Sequence, residues 1–253
     1  MKFRDYIERN QVFTVEQLMS ESGMSAASVR TTLDRAIKHG SIERIRRGAY
    51  VSKIGDYSGA GVSALDVLAA IDLDAVISFH SALEVHGVAH NVSSMCQFRS
   101  RTIKTKFSYG GVLYVPYACD RSIRYQLIGA VGANGAGVTT REQTLVDCLR
   151  YTDRAGGVEE ALRSLSLFPY LDVDELLALV EQGSASLAAR VGWLLEQKQR
   201  DWRVLDEQLD RLETMVTGGP YRLDKRQTRS PGWSKRWNLC LPADQEELRS
   251  WVL

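Results

Sequence analysis

Between Ser25 and Lys53 the chain carries seven lysines and arginines, Arg30, Arg35, Lys38, Arg44, Arg46, Arg47 and Lys53, against two acids, Asp34 and Glu43. An excess of five positive charges in so short a stretch suits a polyphosphate backbone, where each neutralised phosphate releases a condensed counterion. Hydroxyl residues among them add a second chemistry. Ser28 and Thr31 can hydrogen-bond base edges or phosphates, and Thr31 can also touch a thymine methyl. Arg35 can bind guanine bidentately or reach the backbone; Lys38, one turn on, suits a phosphate, and Arg30 flanks them. Arg46 and Arg47 can enter a minor groove or clamp phosphate. The expected contacts to duplex DNA are Ser28, Arg30, Thr31, Arg35, Lys38, Arg46 and Arg47. The competing reading is a solvated helix face beside a charged hairpin that serves protein contacts.

Positioning such residues takes a particular order of elements, and the local signals supply it. Lys2 to Asn10 suits a first helix, with Phe3, Tyr6 and Ile7 on one side. Thr14 with Gln17 has the spacing of a capping box, opening a helix that runs to about Ser22. Gly23 can turn the chain in a left-handed conformation. Ser25 can cap a further helix in which Val29, Leu33, Ala36 and Ile37 share one face at 100° per residue. Gly40 is placed to end it. Ile42 to Arg46 and Ala49 to Ser52 suit two strands joined at Arg46-Arg47-Gly48. Helix, tight turn, helix and basic-tipped hairpin make the plan of a winged helix-turn-helix.

The rest of the chain divides by composition. Of 253 residues 25% are charged and 44% apolar, ordinary for a globular protein, and the length suits two domains. The stretch 54–61 is rich in glycine and small residues, so the expected organisation is a DNA-binding domain at 1–53, a linker, and a larger domain at 62–253. In that second part Val62 to Ala70 and Ser81 to His86 suit helices, and Ala75 to Phe79 either a strand or a helix start. Rough alternation from Met95 to Pro116, and again from Tyr125 to Val131, suits strands. Val131 to Val138 suits a turn-rich bend. Thr140 with Gln143 suits a second capping box, and helical patterns follow at 142–150, 159–165, 173–182, 186–197 and 202–214. Residues 217–238 suit a loop-rich basic tail. The fold class expected is α+β, a winged helix followed by a mixed α/β domain ending in helices.

Other clusters are weaker as chemistry. In the tail, Arg222, Lys225, Arg226, Arg229, Lys235 and Arg236 face only Asp224, with Tyr221, Trp233 and Trp237 among them. That mix suits secondary contacts to nucleic acid or to a partner; it suits equally well rings that dock the tail while the cations reach outward. His80, Glu84, His86 and His90 are the one group that resembles a metal-ligand set, but Gly87 interrupts the i, i+4 spacing, so packing is preferred. Gly132 to Gly137 lacks the Lys-Ser/Thr of a phosphate loop. Thr139 to Glu142 with Asp147 is explained by a capped helix. Cys96, Cys119, Cys148 and Cys240 are dispersed, as reduced thiols are. No catalytic residue, metal or cofactor is expected, and neither is enzymatic activity. No leader-like or membrane-length apolar run is present, which makes a cytoplasmic protein the expectation.

The stretch TVEQLMSESGMSAASVRTTLDRAIKHGSIERIRRGAYV resembles the winged-helix domain of AbiEi-type antitoxins of type IV toxin–antitoxin (abortive infection) systems. Ile77-Ser-Phe-His-Ser-Ala-Leu-Glu-Val-His-Gly87 is similar to a segment that follows the wing in that family. Thr140-Arg-Glu-Gln-Thr-Leu-Val-Asp-Cys-Leu149 is similar to a later helix there, with Gln143 where arginine is usual. The resemblance covers about the first 150 residues. It implies a repressor that binds inverted repeats in its own promoter, with two copies on the DNA. It also implies a functional partner, a nucleotidyltransferase-like toxin, countered often without a stable complex. The alternative is a winged-helix regulator whose C-terminal domain senses a ligand or protein partner.

Overall fold

The computed structural model describes residues 1–119, 122–128, 136–226, 228 and 231–252. It is a mixed α+β chain, as expected, that forms two compact units. The first comprises Met1–Val76, Ser94–Cys119 and Leu127–Gly137; the second comprises Ile77–Ser93, Asp120–Gln126 and Val138–Leu253.

The first unit opens with α1 (Phe3–Arg9), β1 (Val12–Thr14), α2 (Val15–Ser22) and α3 (Ala26–Lys38). The hairpin β2 (Ile42–Arg46) and β3 (Ala49–Ser52) completes the winged helix. Each local signal behaves as its chemistry requires. The Thr14 hydroxyl accepts from the Gln17 amide and the Gln17 side chain accepts from the Thr14 amide, closing a reciprocal cap. Such a cap contributes about 1 kcal/mol. Gly23 and Gly40 both take left-handed backbone angles. Past α3 the Ser41 amide donates to Ala36 and the Gly40 amide to Ile37, the paired bonds of a Schellman stop.

Beneath these elements Tyr6, Ile7, Phe13, Leu18, Val29, Leu33, Ala36, Ile42 and Tyr50 form one buried cluster. Phe13 is its hub, edge-on to Tyr6 and stacked on Tyr50. Ile37, expected in this core, is instead 38% exposed. It lies at the edge of the apolar sector, where the arc covered by the other helices has ended.

Strand β1 escaped the sequence reading. It pairs antiparallel with β3, Val12 opposite Val51 and Thr14 opposite Ala49, and so makes the wing a three-stranded sheet in the order β1-β3-β2. Residues 54–61 do not coincide with a boundary between the compact units. A short 3-10 turn forms at Gly55–Tyr57, and the Tyr57 hydroxyl donates to the Arg9 carbonyl. Gln17 also donates to Ala70, in the helix α4 (Ala64–Ile71). Along the chain follow β4 (Val76–Ile77), β5 (Met95–Ser100), β6 (Phe107–Tyr109), β7 (Val112–Ala118), β8 (Tyr125–Ile128) and β9 (Ala136–Thr139). Each contributes residues to a sheet ordered β6-β7-β5-β4-β9-β8. Strands β5 and β7 run parallel, and β6 and β7 form an antiparallel hairpin. The expected bend at 131–138 is thus strand from Ala136 onward, and residues 129–135 lie outside the described set.

The second unit is mainly helical: α5 (His80–Val85), α6 (Arg141–Arg150), α7 (Val158–Leu165), α8 (Val173–Glu181), α9 (Ala185–Gln197) and α10 (Asp206–Met215). The second expected capping box is half formed. The Thr140 hydroxyl accepts from Gln143, but the Gln143 side chain accepts from Arg124 and donates to Asp147 instead. Helix α10 begins four residues later than expected, because Trp202 is held in the preceding turn by its indole N–H, which donates to Phe168.

The tail is the main correction. Residues 217–238 are not a loose loop but contribute β10 (Tyr221–Arg222) and β11 (Gly232–Ser234) to a small sheet with β12 (Leu239–Leu241), followed by α11 (Gln245–Val252). Trp237 is fully buried and its indole donates to Glu196 on α9. Its ring lies so close to Gly192 that a Cβ there would stand 2.1 Å from it.

Candidate nucleic-acid interface

Helix α3 carries both duties of the winged helix on opposite sides. Val29, Leu33 and Ala36 are buried, while Ala27, Ser28, Arg30, Thr31, Asp34, Arg35 and Lys38 are exposed. The Ser25 hydroxyl caps the helix by accepting from Ser28, leaving the Ser28 hydroxyl at the open N-terminal turn. Thr31 donates to the Ala27 carbonyl, so its oxygen remains able to accept. Thr31 and Ala27 are both exposed, a small-residue surface that lets a helix approach base edges.

The wing turns at Arg47-Gly48, with Gly48 at φ 82° and Arg46 opposite Ala49. Arg47 is exposed at this turn. Arg46 is half-buried, and its guanidinium lies 5.2 Å from the centre of the Phe107 ring. The two arginines treated alike in the sequence therefore differ: Arg47 extends to solvent, whereas Arg46 packs on an aromatic face of its own unit. A register shift between Arg44 and Arg46 buries Ile45 and leaves Arg44 exposed, an additional cation near the turn. Glu43, the one acid of the wing, is met by Lys53 at 3.3 Å and by the Tyr109 hydroxyl at 3.4 Å. That pairing offsets Glu43, and Lys53 with it, while Asp34 stays exposed on α3.

The tail cations sit in the second unit, each placed differently. Arg236 reaches Glu196, Asp210 and Glu213 at 3.4, 2.6 and 2.8 Å and lies over Trp237. Lys225 donates to the Arg150 carbonyl, and Arg226 stands 3.9 Å from Asp153. The Arg222 carbonyl accepts from the buried Arg190. Lys235 is exposed, and Arg229 lies outside the described residues. Three carboxylates around Arg236 leave little net charge there for a phosphate.

The histidine group is a packing network. His80 donates to Glu160 at 3.2 Å and is 3.6 Å from Glu84. Glu160 also accepts from Ser164, the Asn91 amide and the Asn91 side chain, while Glu84 accepts from the Ser93 amide. Burial pushes the Glu160 carboxyl up, but these hydrogen bonds outweigh it and hold the group below its usual range. No cluster of three or more residues suited to a metal occurs among the described residues.

His86 donates to the Thr139 carbonyl at 2.8 Å. Its pKa falls below 6.5 because burial disfavours the charged ring, more than the Thr139 bond restores it. The native state then binds fewer protons than the unfolded chain. The His86 contribution to stability should be complete above about 6.5 and lost as the pH falls toward the native value. Denaturation midpoints between pH 8 and 5 should therefore decline, and His86→Gln should flatten the decline; an unchanged slope in the variant would assign it elsewhere.

The first unit thus opens with a winged helix-turn-helix that has an exposed basic face on α3 and at the wing. Residues 3–53 match the family model described as "Transcriptional regulator, AbiEi antitoxin", which is the resemblance read from the sequence. Over nearly the whole chain the fold is similar to that of a protein solved as "Crystal structure of RV2827C protein from Mycobacterium tuberculosis". The TM-score is 0.64 at 14% identity, covering 98% of this chain and 91% of that one. No curated protein matches the chain. No helix among the described residues is long and apolar enough to cross a membrane.

Proposed function

We propose that the chain is a DNA-binding autorepressor and an antitoxin, acting against a nucleotidyltransferase-like toxin of a type IV toxin–antitoxin system. The observation that carries the DNA-binding part is the division of α3: its apolar side is buried in the winged-helix core and Ser28, Thr31, Arg35 and Lys38 are presented outward. The matching family description for residues 3–53 supports both parts. Two copies on an inverted repeat fit the geometry by which winged helices read half-sites. The protein works in the cytoplasm, needs no cofactor and performs no catalysis. Neutralisation is assigned to residues 62–253.

Co-expression with the reading frame beside the gene tests the antitoxin part. Growth arrest by a nucleotidyltransferase-like neighbour should be relieved by the full chain, and still be relieved by a chain carrying Arg35→Ala and Arg47→Ala. Toxicity that persists with the full chain would contradict the reading.

One feature of the second unit supports the alternative, a regulator that senses a ligand or partner. A cleft of about 620 Å³ is lined by Tyr170, Asp172, Trp202, Arg203 and Leu205. Tyr170 and Leu205 are exposed, and Arg203 holds a positive φ of 53°. Loss of DNA binding on adding a neighbour-encoded protein or a small molecule would favour that reading.

A further inference from the structure

From Val85 to Cys119 the chain contains four cations, Arg99, Arg101, Lys104 and Lys106, and no acid. Three of them, Arg101, Lys104 and Lys106, are exposed in the loop between β5 and β6. This loop lies outside the residues matched by the family description, yet it belongs to the same compact unit as the winged helix. Its neighbour in space is the wing. Thr102 and Ile103 line a groove of about 190 Å³ together with Thr14, Glu16, Arg46 and Arg47. The strand that leaves the loop begins at Phe107, the ring under the Arg46 guanidinium. Two residues on, Tyr109 donates to Glu43 of the wing.

The loop is also fixed in place. Asp72, buried, accepts from the Ser100 hydroxyl at 2.5 Å and from the Thr102 hydroxyl at 2.8 Å. The Ser100 oxygen in turn accepts from the amides of Thr102 and Ile103. Ile103 is 4% exposed and pins the middle of the loop. Lys104 donates to the Ser100 carbonyl. Arg101 and Lys106 have no carboxylate or hydrogen-bond partner among the described residues. With the loop backbone already anchored, two uncompensated cations beside a basic wing give up only side-chain freedom when they bind an anion.

We infer that the β5–β6 loop is a second contact to duplex DNA, with Arg101 and Lys106 binding backbone phosphates beyond those reached by α3 and the wing. The inference rests on the DNA-binding reading of the winged helix. Phosphate contacts position a protein and carry no sequence information, so the loop sets affinity and register, and α3 sets sequence.

Gel-shift titrations of the full chain separate the two claims. The probes are the duplex immediately upstream of the gene and an unrelated duplex of equal length, at several salt concentrations. Arg101→Ala with Lys106→Ala should lower the slope of log K against log salt by about two units. Binding to both duplexes should weaken by the same factor, leaving the preference between them intact. Arg101→Glu with Lys106→Glu should weaken binding further, and thermal melts should match the wild type throughout. An unchanged slope in the alanine variant, with binding lost in Arg35→Ala plus Arg47→Ala, overturns the loop contact while sparing the winged-helix reading. Absence of binding to either duplex by the wild-type chain overturns both. A lowered slope in the loop variant beside unchanged binding in the α3–wing variant leaves the loop contact standing and overturns the residues assigned to α3 and the wing.

Discussion

Replacing Arg35 and Arg47 together by alanine should remove preferential binding to the DNA upstream of the gene, lowering affinity for it on the order of 100-fold. Arg35 lies on the exposed side of α3, and Arg47 on the turn of the wing. Either loses a guanidinium able to make bidentate contacts to guanine or phosphate, each worth about 1–3 kcal/mol of discrimination when a base edge is read. Neither residue is part of the buried cluster, so the fold should survive. Arg46 is left out of this variant deliberately. Its guanidinium stacks over Phe107, so Arg46→Ala would remove packing as well as charge. Equal binding of the double variant to upstream and unrelated duplexes is the expected result in competition gel shifts. Retained preference would move sequence reading away from α3 and the wing.

The largest effect on stability is expected at Trp237. Trp237→Ala deletes a fully buried indole that packs on Gly192 and donates to Glu196, and should cost about 3–5 kcal/mol. Part of that cost is the cavity and part is the lost indole hydrogen bond to Glu196, which keeps its bond to Arg236. Gly192→Ala attacks the same contact from the other side: its Cβ would overlap the ring, and overpacking of this kind costs about 1–3 kcal/mol. Urea melts should show both losses. Small effects from both changes would mean that the tail is not held as described. Basic residues near a chain end invite a nucleic-acid reading, but Arg236 spends its charge on three carboxylates of the second unit.

Why the winged helix was readable and the tail was not has a physical basis. The signals of the winged helix are local: Thr14 caps with Gln17, Gly40 closes α3 through bonds to Ile37 and Ala36, and Arg47-Gly48 makes the hairpin turn. Their energetics are settled within a few residues. Strand β1 has no such signal. Three residues, Val12 to Thr14, become a strand because Val51, far along the chain, offers an edge to pair with. The tail hides its structure similarly, since β10 and β12 pair across an intervening strand and Trp237 is buried by a distant helix. At Thr140 the capping pattern was present, but Arg124 competed for the Gln143 side chain. Ile37 shows the limit of helical projection, which locates the centre of a buried face better than its edges. For the candidate interface, residue types and spacing alone single out Ser28, Thr31, Arg35, Lys38 and Arg47. Separating Arg47 from Arg46 required knowing that Phe107 lies beneath the latter.

The most direct measurement is a protection footprint of the wild-type chain on the DNA upstream of its own gene. Two protected half-sites related by an inverted repeat are expected, abolished by Arg35→Ala with Arg47→Ala and weakened evenly at both half-sites by Arg101→Ala with Lys106→Ala. The absence of localised protection, with upstream and unrelated DNA bound equally well, would contradict it.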